Sequence, residues 1–171
     1  MNYQFNDKHS MGVRYDIDRY MNTFGDWRYL TQVFSDGQLY EKSDSRMLLY
    51  DPSTCHNLNY YYNGQLGNWS IDFNADGLWS PTEEAQHTTE IVDGSTENHI
   101  NTFNENKSTL YAAKLILSHP LWQGNLSFGG EYSHTNRTNL YLNTEGILAD
   151  DNSRIKEGAV SAFADYARSF G

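Results

Sequence analysis

Six histidines are the first residues of this chain that could support catalysis or bind a transition metal. None of them is spaced as in the HExxH motif, and no GxSxG nucleophile motif is present. Ser118 and His119 are adjacent, and neighbouring side chains on a strand point to opposite faces, so they cannot form a dyad. His119 and His134 fit interfacial positions near strand ends. We therefore expect no enzymatic activity and no cofactor.

Paired carboxylates are the second candidate chemistry. Asp16 and Asp18 share one face of an alternating stretch, as do Asp72 and Asp76, and residues 150–152 add two further aspartates. Carboxylate oxygens suit Ca²⁺, a hard cation. The alternative is the water-filled interior of a barrel, which is usually polar and charged. We favour the alternative and predict no metal site.

The aspartates Asp72 and Asp76 lie in the stretch that the rest of the chain is organised around, residues 69–79. Its odd-numbered residues are apolar or small, and its even-numbered residues are polar except Leu78. This alternation predicts a β-strand with one apolar and one polar face. Trp69 and Trp79 would stand about 25 Å apart along a tilted barrel strand, the height of the lipid-facing band between two aromatic girdles. A soluble one-sided sheet would show the same alternation.

Five further stretches alternate in the same way, at residues 8–20, 56–63, 111–121, 126–133 and 158–171. Asp36-Gly37 adds a turn signal for a hairpin inside the polar segment 21–54. The connections run long, short, long, short, long, with further polar segments at 81–107 and 136–156. In a meander all long connections then emerge at one end, as in outer-membrane barrels. We predict an all-β fold, an antiparallel up-and-down meander of about six strands forming an incomplete transmembrane barrel.

Composition and charge agree with this interpretation. The chain has 171 residues, enough for one domain, with 15% aromatic residues and thirteen tyrosines. It has no run of about 18 apolar residues, so no transmembrane helix is predicted. The net charge is 12 − 22 = −10, which argues against nucleic-acid binding. The single cysteine, Cys55, excludes an internal disulfide and a cysteine-based zinc site.

Several of these stretches resemble the outer-membrane β-barrel family, the barrel parts of TonB-dependent receptors of Gram-negative bacteria. The most specific is the run PLWQGNLSFGGEY at residues 120–132. That run continues to residue 136, and the others are residues 8–16, 58–64 with 67–70, 111–115 and 162–171, so the resemblance covers nearly the whole chain.

The resemblance implies a large barrel of about 22 strands with a plug domain, and energised uptake of a nutrient in the cell outer membrane. Residues 1–171 would form a partial barrel domain without plug, signal peptide or terminal strand, because barrels need about eight strands to close. The implied partners are outer-membrane lipid, the rest of the barrel with its plug, the energy-transducing TonB complex and a nutrient ligand. The alternative is a soluble β-sheet module that binds carbohydrate through surface aromatics.

Side-chain parity then assigns each strand residue to lipid or lumen. The predicted lipid-facing residues are Trp69, Ile71, Phe73, Trp79, Leu115, Leu117, Phe128, Tyr132 and Val160. The predicted lumen-facing residues are Arg14, Asp72, Asn74, Asp76, Lys114, Glu131 and Asp165. Charges on neighbouring strands could pair across the lumen side, as Lys114 with Glu131 or Asp76.

Overall fold

The computed structural model describes residues 1–20 and 24–168, and within those ranges the regular structure is all β. The strands are β1 (Asn2–Asn6), β2 (His9–Tyr20), β3 (Phe24–Ser35), β4 (Gln38–Tyr50), β5 (Ser53–Leu66), β6 (Trp69–Val92), β7 (Thr96–Leu121), β8 (Gly124–Asn143) and β9 (Asp151–Arg168).

All nine strands form one antiparallel sheet that is not closed. The order along it is β1-β2-β5-β6-β7-β8-β9, and the β3–β4 hairpin joins this path through β4, which pairs with β6. Neighbouring strands along this path are consecutive in sequence, except that β2 pairs with β5 because the β3–β4 hairpin lies between them in the sequence. The predicted antiparallel meander is therefore confirmed, with β2 and β5 to β9 as its six main strands.

Strand β6 is long because two strands in turn pair with the same edge. β5 pairs with residues 69–82 of β6, and β4 continues with residues 85–92 in the same register. Asp51 and Pro52 lie between β4 and β5. Pro52 has no N–H to donate to a ladder, but its carbonyl oxygen accepts a bond from the Glu83 N–H at 3.4 Å. β4 and β5 therefore act as one interrupted strand.

Short turns close both ends of the meander. Asp36-Gly37 and Asp93-Gly94 each hold two successive residues at positive φ, which a type I′ hairpin turn requires. Gly67 begins a two-residue turn at the opposite end of β6, at φ 61°. Trp122 and Gln123 form the β7–β8 turn, one residue earlier than the sequence predicted. We call the end with Gly67 the turn end, and the end with Asp93 the distal end.

The polar segments 21–54, 81–107 and 136–156 differ most from expectation. The sequence predicted long connections with one hairpin, and the hairpin at Asp36-Gly37 is confirmed. The other two segments are mainly strand, because β6 and β7 stay paired out to Val92 and Thr96, and β8 and β9 out to Tyr141 and Asp151. Both faces of these strand extensions carry mainly polar side chains, so the hydropathy of the sequence shows no period of two there. β1 was also not predicted, and residues 169–171 of the last strand lie outside the described residues.

The described part of the sheet has no hydrophobic core of its own. Within residues 1–20 and 24–168, no apolar side chain is buried, and Ser43 and Asn143 are the buried polar residues. Stacked sheets would instead bury the inner apolar side chains of both layers. No helix long and apolar enough to cross a membrane occurs in the described ranges.

A glycine on β8 gives a test of the packing within the sheet. A Cβ at Gly129 would lie 2.3 Å from the Leu115 carbonyl oxygen and 2.8 Å from the Phe163 ring, whereas at Gly130 the nearest atom is 3.2 Å away. We expect Gly129→Ala to lower the free energy of unfolding by about 1–3 kcal/mol through overpacking. Gly130→Ala is the control and should cost clearly less. Urea unfolding of the protein in detergent measures both, and equal losses would contradict this packing.

Candidate functional site

The two faces of the sheet are the candidate functional surfaces, and the strand register defines them. Ile71 of β6 lies opposite Leu117 of β7, which in turn lies opposite Phe128 of β8. Phe73 lies opposite Leu115, and Tyr132 opposite Val160. Because side chains alternate strictly along a strand, all nine residues predicted to face lipid share one side of the sheet, which we call the apolar face.

The apolar face carries a band without charged side chains, from the row of Trp69 to the row of Tyr111. Many of its large side chains are exposed, including Val160 at 81% and Tyr132 at 49%. Ile71 and Phe73, near the middle of the sheet, are half-buried by neighbouring side chains. These residues do not pack into a shared interior.

Aromatic side chains mark both limits of this band. Towards the distal end, the Trp79 Nε1–H donates to the Tyr111 hydroxyl at 3.2 Å, and Tyr15 and His56 are hydrogen-bonded at 2.6 Å. Towards the turn end, the Trp69 ring lies 4.6 Å from His119 and 5.8 Å from Phe128, between ring centroids. Indole and phenol groups with one apolar body and one polar tip are typical of membrane–water interfaces.

The six histidines all fall on the apolar face, which sequence reasoning did not predict. His9, His56, His119 and His134 lie at the limits of the band, whereas His87 and His99 lie beyond it and stack with centroids 6.1 Å apart. The sequence feature that could have revealed this is the alternation of side chains, because each histidine is an even number of residues away from apolar-face residues of its own strand. Ser118 bonds to Ser127 on the other face at 2.8 Å, so Ser118 and His119 lie on opposite faces as predicted.

The opposite side, which we call the polar face, holds all seven residues predicted to face a lumen. Asn59 lies at the centre of a network there: its Nδ2 donates to Asn74 at 2.9 Å and to Asp76 at 2.7 Å. Asn74 donates in turn to Asp76 at 3.0 Å. Arg14 bonds to Asp16 at 2.6 Å rather than across to another strand. Near the turn end, Asp72 helps to line a shallow polar cavity of about 630 Å³.

Lys114 does not make the contact that the sequence suggested. The register places it directly opposite Glu131, but its ammonium nitrogen lies over the Phe163 ring, 5.8 Å from the centroid. Phe163 lies opposite Gly129, whose missing side chain leaves room for the ring. Among the ion pairs of residues 1–20 and 24–168, none joins Lys114 to Glu131 or Asp76. A cation–π contact therefore replaces the predicted salt bridge.

The described residues form no metal centre on either face. In the described part of the chain, no three residues among histidine, cysteine, aspartate and glutamate are grouped closely enough to hold a metal ion. Asp16 and Asp76 are engaged by Arg14 and by the two asparagines.

Beyond the band, the same side of the sheet becomes charged. In the β3–β4 hairpin, Arg28 forms a two-point ion pair with Asp44, and Arg46 does so with Asp26 at 2.7 and 3.0 Å. The hydrogen bond from Arg46 holds the pKa of Asp26 below its ordinary value, and that from Arg28 does the same for the pKa of Asp44. These exposed pairs order the hairpin but contribute little stability individually.

The connection between β8 and β9 folds back onto β7. Glu145 accepts a bond from the Asn101 N–H at 2.7 Å and a second from the Asn101 side-chain amide. The backbone bond from Asn101 is the largest cause that lowers the pKa of Glu145, followed in the same direction by the side-chain bond. Asn101 also bonds to His87, so the connection, β7 and β6 are linked in one chain of contacts.

Comparison with known proteins gives only distant likenesses. No family model matches the sequence, and no curated protein matches it. The ferric yersiniabactin uptake receptor FyuA from Yersinia pestis is similar in structure, with 11% identity and a TM-score of 0.31 over 93% of this chain and 32% of the receptor. Acinetobacter baumannii CarO is similar with 11% identity and a TM-score of 0.24 over 92% of this chain and 74% of CarO. Both are outer-membrane β-barrel proteins, and this chain spans about a third of the receptor's length.

The Glu145 contact predicts a pH dependence of the β8–β9 connection. Its folded-state pKa is lowered, so the stabilisation is complete above the unfolded value of 4.5 and is lost as the pH falls through the folded value. A spin label at Ile147→Cys, in a Cys55→Ser background, should be ordered at neutral pH and become mobile as the pH falls below about 4.5.

Glu145→Gln should make the same label mobile already at neutral pH, because the charge-assisted bonds to Asn101 are weakened. Glu157→Gln, a glutamate on β9, is the control and should leave the label ordered. An unchanged spectrum in Glu145→Gln would show that Asn101 does not hold the connection.

Proposed function

We propose that this chain forms part of the wall of a β-barrel in the outer membrane of a Gram-negative bacterium. One observation carries the proposal: the described residues form a single antiparallel sheet without a hydrophobic core, and one face of it is apolar between two aromatic rows. A soluble sheet covers such a face with a second layer. Lipid hydrocarbon covers it in a barrel, and the polar face then lines the interior.

The free edges of the sheet support a larger assembly. Among the described residues β9 pairs only with β8, and β1 only with β2. Unpaired backbone N–H and C=O groups are costly in hydrocarbon, so a barrel in lipid has no open edge. Further strands therefore pair with β9 and with the β1 side of the sheet in the proposed barrel.

We further propose that the barrel belongs to a TonB-dependent receptor that binds and takes up a nutrient. The support is the resemblance of residues 120–132 to that family, together with the strand extensions and hairpins gathered at the distal end. These would form part of the ligand mouth, with the plug domain against the polar face and the TonB complex as the energy source. Growth of cells carrying the full receptor, with residues 27–47 deleted, on single limiting nutrients tests this step. Uptake of every nutrient at the wild-type rate would contradict it.

Two arginine substitutions at adjacent positions test the membrane placement. Phe73 lies in the middle of the band, and Asp72 points to the other face. Phe73→Arg should cost about 2–4 kcal/mol at the bilayer midplane, whereas Asp72→Arg should leave assembly nearly intact. The folded fraction is read from heat-modifiable migration of the intact barrel protein on a gel. Equal losses in the two variants would overturn the assignment of faces.

A further inference from the structure

Four cations follow the apolar band at its distal limit. Lys107 and Arg154 lie in one row across the sheet: Lys107 is paired with Pro81 on one side and Thr138 on the other, and Thr138 is paired with Arg154. Lys156 lies in the row of Trp79, and Arg19 lies two residues beyond Ile17 on β2. All four are on the apolar face and exposed. We call them the basic belt.

The position of the belt is more informative than the number of charges. The row of Lys107 lies two residues beyond that of Trp79, or about 5 Å further along the axis of a tilted strand. Among residues 1–20 and 24–168, the band has no charged side chain on this face, and no carboxylate lies in the rows of Trp79 and Lys107. The chain has a net charge of −10, so a group of four cations at one height of the sheet is not expected from the overall composition.

The local contacts leave the belt able to bind an anion. Arg154 uses its Nε–H on Asn136 at 2.9 Å. Lys107 lies 2.6 Å from Glu105, and its side chain is still 58% exposed. Arginine can bind a phosphate through two parallel N–H groups, and lysine binds it as a point charge.

We propose that the basic belt binds the phosphate groups of anionic membrane lipids whose acyl chains cover the apolar band. This rests on the proposed membrane placement. The occupant follows from charge complementarity and continuity, since a lipid has its anionic headgroup directly beyond its hydrocarbon. Each Lys or Arg near an anionic lipid surface strengthens binding by about fivefold, and salt weakens the effect.

The test is lipid selectivity around the intact barrel protein in phosphatidylcholine vesicles, with traces of spin-labelled phosphatidylglycerol or phosphatidylcholine. The motionally restricted fraction of each label reports lipid at the protein surface. We expect the wild type to prefer phosphatidylglycerol at least fivefold at low ionic strength, and less in 0.5 M salt. The triple variant Lys107→Gln/Arg154→Gln/Lys156→Gln should lose most of this preference while the restricted phosphatidylcholine is unchanged.

Two controls separate charge at this position from general charge and from misfolding. Arg14→Gln and Lys114→Gln remove cations from the polar face and should keep the preference. Arg154→Lys/Lys156→Arg keeps the belt's charge and should also keep it. A preference unchanged in the triple variant would overturn the belt and leave the barrel standing. Absence of any restricted lipid in the wild type would overturn the proposed membrane placement as well.

Discussion

The unbroken ladder between β6 and β7 is the constraint on which the other features depend. Residues 70–92 pair with residues 96–118 without a bulge. A slip of one residue would move every side chain to the other face, so this register fixes the side on which each group lies. Because Trp79 and Glu83 have the same parity on one continuous strand, the band and its charged extension belong to one surface rather than to two domains.

The energetics of this sheet differ from those of a soluble domain. Its backbone groups are paired along long ladders, yet no apolar side chain in the described ranges is buried. Apolar burial is the dominant favourable term in folding in water, and here the sheet does not supply it internally. Under the proposed placement the bilayer covers the apolar band, and ladder hydrogen bonds are the alternative to leaving polar groups in hydrocarbon. Long strands and minimal side-chain packing are then compatible with a stable wall.

The sequence predicted the strands wherever apolar and polar residues alternate, as in residues 69–79. It missed the extension of β6 and β7 because Thr88 and Thr89 point to opposite faces and are both polar. The contact of Lys114 with Phe163 was also missed. It depends on Gly129 lying opposite Phe163, and this pairing between two strands cannot be read from the sequence of either strand alone. Local alternation therefore identified the faces, whereas the contacts across each face required the pairing of distant segments.

Charged side chains occur along the whole polar face of β6 but only beyond Trp79 on its apolar face. On the polar face Asp72 and Asn74 are followed further on by Gln86 and Thr88, with Leu78 and Val92 as the apolar exceptions. On the apolar face Phe73 and Trp79 give way to Glu83 and His87 within a few residues.

The ladder with β7 continues through that point, and β4 takes over from β5 on the other edge in the same register, so register does not explain the transition. Under the proposed placement, the medium on that side of the strand sets this boundary. That medium would be apolar up to the row of Tyr111 and aqueous beyond the row of Trp79, which contains Lys156. The cations of the basic belt lie at this boundary, where the proposed bilayer carries its phosphates.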